Sequence, residues 1–155
     1  MKGIDKLFIA TVCTLFLCSC SQDRRQAKGF VLPKGDIEKG KSEFVNLGCH
    51  QCHTVANVKL PNPPKTSEVT FALGGEVSRV KTYGELVTSI IQPQHVLEPK
   101  YLRTIETEKR ADAESPMPTQ NEQMNVSQLI DIVAFLNASY VKAKPTYDDY
   151  HYYGL

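Results

Sequence analysis

The chain has 155 residues, with 18 Lys and Arg against 17 Asp and Glu, and a formal net charge of +1 at pH 7. A chain of this length predicts one domain, with room for tails. Because positive and negative side chains nearly balance, the sequence lacks the basic excess that neutralises phosphates, which disfavours nucleic-acid binding.

The first nineteen residues are predicted to be a lipoprotein signal peptide. Two lysines precede an apolar run over residues 7–17, which is too short to cross a bilayer as a typical helix. The sequence LCSC that follows resembles a bacterial lipobox, in which the last cysteine becomes the lipidated N-terminus. Cys20 is therefore the predicted lipidation site, and residues 20–34 are a lipidated N-terminus and polar tether. Ordinary cleavage nearby and an uncleaved anchor are the alternatives.

The first helix of the predicted domain begins at the N-cap Asp36 and stops at Gly48. Its apolar residues recur at spacings of three and four, the period of one helical face. Residues 56–80 contain three prolines and a Gly-Gly pair, so we expect a loop with at most a short extended piece at Val69–Leu73. Residues 84–92 then predict a short helix with an apolar face, closed by a proline.

Residues 93–120 are expected to be irregular, with a charged and solvated middle. The last helix begins at the N-cap Asn125, with Gln128 at the N3 position in a variant of the capping box. Its apolar stripe comprises Leu129, Ile132, Val133, Leu136 and Tyr140. We therefore predict an all-α domain over residues 35–140, followed by a Tyr-rich tail over residues 141–155.

Cys49, Cys52 and His53 form the motif Cys-x-x-Cys-His, which is the attachment signature of c-type haem. The three-residue interval brings two sulfurs to two adjacent vinyl groups of a porphyrin, and the next residue then faces the iron. The remaining three cysteines belong to the signal peptide or the lipidation site, so no pair is left for a structural disulfide. The sequence predicts one covalently bound haem c with His53 as the proximal iron ligand.

Two other kinds of site also use closely spaced cysteines. A zinc site needs two further ligands, commonly in a second close pair, but His95 and His151 are single and far apart. A redox dithiol needs its first cysteine at a helix N-terminus, where the dipole stabilises the thiolate. Cys49 instead follows the end of a helical pattern, so haem attachment is the favoured interpretation.

Over residues 35–140 the chain resembles class I cytochrome c. The resemblance rests on GDIEKGKSEFVNLGCHQCH, on PMP and on NVSQLIDIVAFLNASY. It implies a cytochrome c fold, in which a few helices pack around one covalently attached haem and the first and last helices cross. At that crossing the family has a glycine and aromatic residues, and the matching positions here are Gly40, Phe44, Ile132 and Phe135.

A second axial ligand is expected opposite the proximal histidine, and the candidates are Met117, Met124 and His95. Methionine opposite histidine raises the reduction potential. Met117 lies between two prolines that hold an extended loop, and the resemblance implies that this Met-Pro pair carries the ligand. Met124 is explained by a hydrophobic staple with Leu129, and His95 as a solvent-facing histidine in a polar turn. Met117 is therefore the predicted distal ligand.

Several residues are candidates for hydrogen bonds that would support the proximal histidine or the haem propionates. The carbonyl of Pro61, Pro63 or Pro64 is a candidate acceptor for the free ring N–H of the proximal histidine. Arg79 and Tyr101 are candidates for hydrogen bonds to a haem propionate, although a surface arginine and a core tyrosine are equally consistent with the pattern.

These features predict an electron carrier rather than an enzyme, because nothing in the sequence supplies the acid–base pair or nucleophile of an independent enzyme. The expected partners are redox proteins, with no nucleic acid and no small-molecule substrate. The expected location is the periplasmic side of a bacterial membrane, with the outer membrane favoured because Ser21 follows Cys20. One alternative is a haem c subunit of a larger oxidase, reductase or sulfur-oxidising complex. Another is a ligand-binding or peroxidase-like haem protein with an open iron.

Overall fold

The computed structural model describes residues 26–27, 30–65 and 67–144. Within these ranges there are four α-helices and two 3-10 helices. The α-helices are α1 (Ile37–Asn46), α2 (Tyr83–Ile91), α3 (Pro99–Leu102) and α4 (Val126–Ala138). The 3-10 helices span Cys49–Gln51 and Thr107–Asp112. The predicted signal peptide and Cys20 lie outside the described residues.

The prediction of an all-α domain is wrong, because the described residues also form three two-stranded sheets. The strands β1 (Gln26–Ala27) and β2 (Phe30–Val31) are antiparallel. Two parallel sheets pair β3 (His53–Val55) with β4 (Phe71–Leu73), and β5 (Gly75–Val77) with β6 (Tyr140–Lys142). The fold is therefore mixed α/β.

The two parallel sheets satisfy backbone groups of a segment that was expected to be mainly loop. Buried N–H and C=O groups need partners, and the segment around β4 and β5 finds them in two distant parts of the chain. Gly74 separates the two strands and Gly75 begins β5, with φ of +75° and +78°, a region that costs glycine little. The turn lets one extended segment pair first with β3 and then with β6. The expected extended piece at Val69–Leu73 contains β4, whereas the other parallel strands were not predicted.

The two predicted N-caps, Asp36 and Asn125, are confirmed, whereas the helix predicted over residues 84–92 begins one residue earlier, at Tyr83. The Asp36 carboxylate accepts hydrogen bonds from the backbone N–H groups of Glu38 and Lys39, both at 3.0 Å. Asn125 and Gln128 form a reciprocal capping box at the start of α4. The stripe predicted for the last helix is wrong at its end, because α4 finishes at Ala138 and Tyr140 begins β6.

Helices α1 and α4 cross at the contact that the family resemblance implied. An ideal Cβ built on Gly40 would lie 2.0 Å from the backbone carbonyl oxygen of Asp131, so only a residue without a side chain permits this approach. Next to this point the rings of Phe44 and Phe135 meet edge to face, with centroids 5.6 Å apart. The Gln128 amide also donates to Glu43 at 2.7 Å, which links the polar sides of the two helices.

The core is apolar and joins α1, α2 and α4 with β3. Its buried members are Leu32, Phe44, Val55, Tyr83, Leu86, Val87, Ile90, Ile132, Val133, Phe135 and Leu136. Leu32, which the prediction assigned to the tether, thus packs in the core. Among the described residues none of the buried side chains is charged or polar. No helix in these ranges is both long and apolar enough to span a membrane.

Candidate haem site

The Cys-x-x-Cys-His motif lies between α1 and β3, two elements that meet the core. Gly48 follows the C-cap of α1 with φ of +75°, and the chain then enters the 3-10 helix that begins at Cys49. Backbone hydrogen bonds join Gln51 N–H to Gly48 O and Cys52 N–H to Cys49 O. This tight turn delivers His53 to the first position of β3. The motif is therefore held by backbone structure on both sides.

His53 lies between two aromatic rings from different elements. Its ring centroid is 6.4 Å from that of Phe44 on α1 and 5.9 Å from that of Phe71, its partner across the β3–β4 sheet. Burial lowers the pKa of His53, and the nearby backbone of Phe71 partly opposes this effect. The neutral imidazole that results is the form that binds metal ions.

The Nδ1 atom of His53 is buried and has no hydrogen-bond partner among the described residues. The backbone of Phe71 is thus close enough to influence the ring without forming a well-aligned bond. None of the three candidates Pro61, Pro63 and Pro64 accepts a hydrogen bond from this ring in the described part of the chain. The expected proline support for the histidine is therefore not present here.

The two cysteines are both half-buried and unbridged. Burial is the largest effect on Cys49 and raises its pKa to about 11. A dithiol that exchanges disulfides needs the opposite shift, since its nucleophile is the thiolate. The burial of Cys49, which raises its pKa, therefore disfavours a redox dithiol. Among the described residues there is no cluster of three or more His, Cys, Asp or Glu side chains suited to a metal ion.

One apolar cavity brings together residues of the motif and candidates for the distal ligand. Cys49 and His53 of the motif line it together with Met117, which lies more than sixty positions later in the chain. Its apolar walls comprise Phe44, Leu47, Leu73, Leu86, Ile90, Ile132 and Leu136. Cys52 is half-buried and is not among the lining residues.

The structure separates one of the three candidate distal ligands from the other two. Met117 and Met124 both line the cavity and both are half-buried. His95 is exposed and lines a different groove, along the outer side of α2. The staple interpretation of Met124 is compatible with its packing against the core, but it does not keep this side chain out of the cavity.

The two residues expected near a propionate make other contacts. Arg79 forms an ion pair with Glu85 at 2.8 Å, and its side chain is 68% exposed. The Tyr101 hydroxyl donates to the carbonyl of Glu114 at 3.0 Å. Neither residue lines the cavity.

Three polar residues that line the cavity were missed by the sequence reasoning. Lys81 donates through Nζ to Ser89 Oγ at 3.4 Å, and both side chains line the cavity. Gln120 also lines it, and its Oε1 atom is buried without a partner in the described residues. Ser89 is three residues beyond Leu86 on α2, so helical periodicity alone could have identified it. Lys81 and Gln120 lie outside helices and carry no such signal.

Comparisons with known proteins leave the family of this chain open. No protein-family model, curated protein or solved structure matches it. Any function must therefore be inferred from the residues of the cavity.

Proposed function

We propose that this protein is a monohaem c-type cytochrome that transfers electrons between redox proteins. The observation that carries the proposal is the shared cavity, in which a Cys-x-x-Cys-His motif contributes Cys49 and His53 while Met117 approaches from a distant loop. A haem supplies an iron that alternates between two oxidation states without a bound substrate. The membership in class I cytochrome c that the sequence suggested is part of the same proposal.

The lining residues fit this group by their chemistry. Cys49 and Cys52 would each add a thiol across one vinyl group, so that a sulfur–carbon bond forms and the thiol hydrogen passes to the neighbouring vinyl carbon. Burial lowers the pKa of His53 and so favours its neutral imidazole, which is the form that suits an axial ligand. Met117 is the proposed ligand on the other side, where a thioether favours the reduced state.

The remaining walls of the cavity would exclude water from the haem and bind its propionate groups. The aliphatic and aromatic lining is supplied by buried core residues such as Leu86 and Ile132. Lys81, Ser89 and Gln120 supply hydrogen-bond donors suited to propionate carboxylates. The cavity volume is about 100 Å³, below the roughly 300–1,000 Å³ usual for cofactor sites. Binding would therefore require outward rotation of flexible lining side chains, to which methionine is well suited.

The proposed location follows from the N-terminal sequence, which lies outside the described residues. A lipid on Cys20 would anchor the domain on the periplasmic side of a bacterial membrane, with several acyl chains because one binds only marginally. The proposed partners are the redox proteins that donate and accept the electron.

The test is expression of the full chain with a c-type haem maturation system. We expect the colour to stay with the protein during acid–acetone extraction and the mass to increase by one haem. Extractable haem, or a mass without the adduct, would refute the proposal.

Ligand assignment is tested in the same preparation. Oxidised protein should show the weak far-red absorption band of methionine–iron ligation. Met117→Ala should abolish that band and let carbon monoxide bind the reduced form, whereas Met124→Leu, which roughly conserves volume, should leave both properties unchanged. A band that survives in Met117→Ala and is lost in Met124→Leu would transfer the role to Met124.

A further inference from the structure

The loop that carries Met117 is fastened to the segment after α2 by the amide of Gln94. The Nε2 group of Gln94 donates to the carbonyl of Ala113 at 2.9 Å. Its Oε1 atom accepts from the backbone N–H of Ser115 at 2.7 Å. A carboxamide is one of the few side chains that can donate and accept at once, and both functions are used here.

Three more side chains hold the same loop by hydrogen bonds on either side of Met117. The Tyr101 hydroxyl donates to Glu114 O at 3.0 Å, so that residues 113, 114 and 115 are each held in turn. Ser115 then accepts from the Met117 N–H through its hydroxyl at 3.2 Å. Beyond Met117, the Asn121 amide donates to the carbonyl of Ile91 at the end of α2, also at 3.0 Å.

This loop depends on side-chain hydrogen bonds because its backbone makes few hydrogen bonds of its own. Residues 113–120 contain no helix or strand. Pro116 and Pro118 have no backbone N–H to donate, so Met117 lies between two positions that cannot join a backbone ladder. The position of the thioether is therefore set by the bonds that Gln94, Tyr101 and Asn121 make on either side of it.

We propose that Gln94 is a positioning residue for Met117, holding the loop so that its thioether stays directed into the cavity. The inference rests on the proposed haem function, and it adds a residue that neither touches the cavity nor belongs to the Cys-x-x-Cys-His motif. It predicts that loss of the amide weakens the methionine–iron bond while Met117 itself is unchanged.

The test is competition between Met117 and imidazole added to the oxidised, haem-loaded protein. Imidazole binds the iron only where methionine has left it, so its apparent affinity reports how firmly the loop is held. Gln94→Leu removes two hydrogen bonds, and we expect imidazole to bind about tenfold more tightly. Tyr101→Phe removes one bond and should give a smaller increase, about threefold. Gln92→Leu is the matched control, because Gln92 is exposed and its side chain makes no hydrogen bond to the described residues.

A double variant shows whether Gln94 acts through Met117. In Met117→Ala protein the competing ligand is absent, so adding Gln94→Leu should change the imidazole affinity by less than about twofold. A tenfold change in that background would mean that Gln94 only restricts access to the cavity, and would overturn the inference. The inference also fails if Gln94→Leu binds imidazole as the wild type does while its far-red band stays intact.

Failure of the proposed function has a different signature. If the protein carries no covalent haem adduct, or if the wild type binds imidazole as tightly as Met117→Ala, then Met117 does not bind the iron. In that case the role of Gln94 fails together with the proposed function. Both the proposed function and the role of Gln94 are supported if the wild type shows the far-red band and if imidazole removes the band at a lower concentration in Gln94→Leu than in Gln92→Leu.

Discussion

Replacing Gly40 with alanine should force apart the two helices that build the core. The new Cβ would lie 2.0 Å from the carbonyl oxygen of Asp131 and 2.8 Å from the Cβ of Phe135, whereas ordinary contact starts at 3.4 Å. To bring the new Cβ into ordinary contact with the Asp131 oxygen, α1 and α4 would have to separate by 3.4 − 2.0 = 1.4 Å. The nearest atoms belong to the backbone of α4, so no change of rotamer relieves the clash.

The expected loss follows from two opposing effects. Overpacking of this kind costs about 1–3 kcal/mol, and the upper end applies because a gap of about 0.5–1 Å already forfeits a quarter to a half of each van der Waals contact. Phe44, Ile132 and Val133 are fully buried near this crossing and would lose such contacts. Alanine regains about 1 kcal/mol over glycine as a helix former. We expect a net loss of about 2 kcal/mol in the free energy of unfolding.

The measurement is urea unfolding of the full chain, followed by far-ultraviolet circular dichroism. Ser42→Ala is the control, since Ser42 is an exposed residue of α1 and its replacement should change stability by less than about 0.5 kcal/mol. If Gly40→Ala is as stable as the wild type, the helices do not cross as closely as described and the packing account of the core is wrong.

Three further predictions concern separate parts of the chain. The hydrogen bond from Thr82 N–H lowers the pKa of Glu85 below its ordinary 4.5, so the charged carboxylate stabilises the fold above that pH and less as pH falls through the lowered pKa. Glu85→Gln should therefore be less stable than the wild type at pH 7, by under about 1 kcal/mol. The deficit should shrink as pH falls through the lowered pKa of Glu85, and urea midpoints that differ by a constant amount from neutral to acidic pH would contradict the reasoning. Gln128→Ala should cost about 1–2 kcal/mol, because it removes both half of the capping box and the bond to Glu43; a thermal scan that shows no change would contradict this. Cys20→Ala should abolish lipid attachment and release the protein from membranes, and mass spectrometry that finds acyl chains on that variant would disprove the assignment.

The parts of the fold that sequence could predict are those determined by neighbouring residues. The caps at Asp36 and Asn125 depend on side chains two or three positions from the backbone groups they bind. Helical periodicity placed Phe44 and Ile132 on buried faces in the same way. The Cys-x-x-Cys-His motif is likewise local, so its residues can be recognised from their spacing alone.

The parts that sequence reasoning missed depend on partners far along the chain. The strands β3 and β6 are only three residues long, and each becomes a strand by pairing with a segment near residues 71–77. No short-range pattern marks such a pairing, which is why the all-α prediction failed. The sequence could not decide between Met117 and Met124 for the same reason. Both side chains line one cavity, and this shared position depends on how distant parts of the chain fold together.

The contact between the first and last helices also constrains the order in which this chain can fold. The Asp36 N–H donates to the Asp131 carboxylate across 95 positions, and the Gln128–Glu43 bond spans 85. Closing loops of this length is entropically costly and slows folding. During synthesis, the buried face of α1 lacks the helix that it crosses at Gly40 until α4 has left the ribosome. The segment that bears Cys49 and His53 therefore acquires part of its surroundings, Ile132 and Leu136 of α4, from residues that are made more than seventy positions later. A chain that stops before α4 would leave that side of the cavity open.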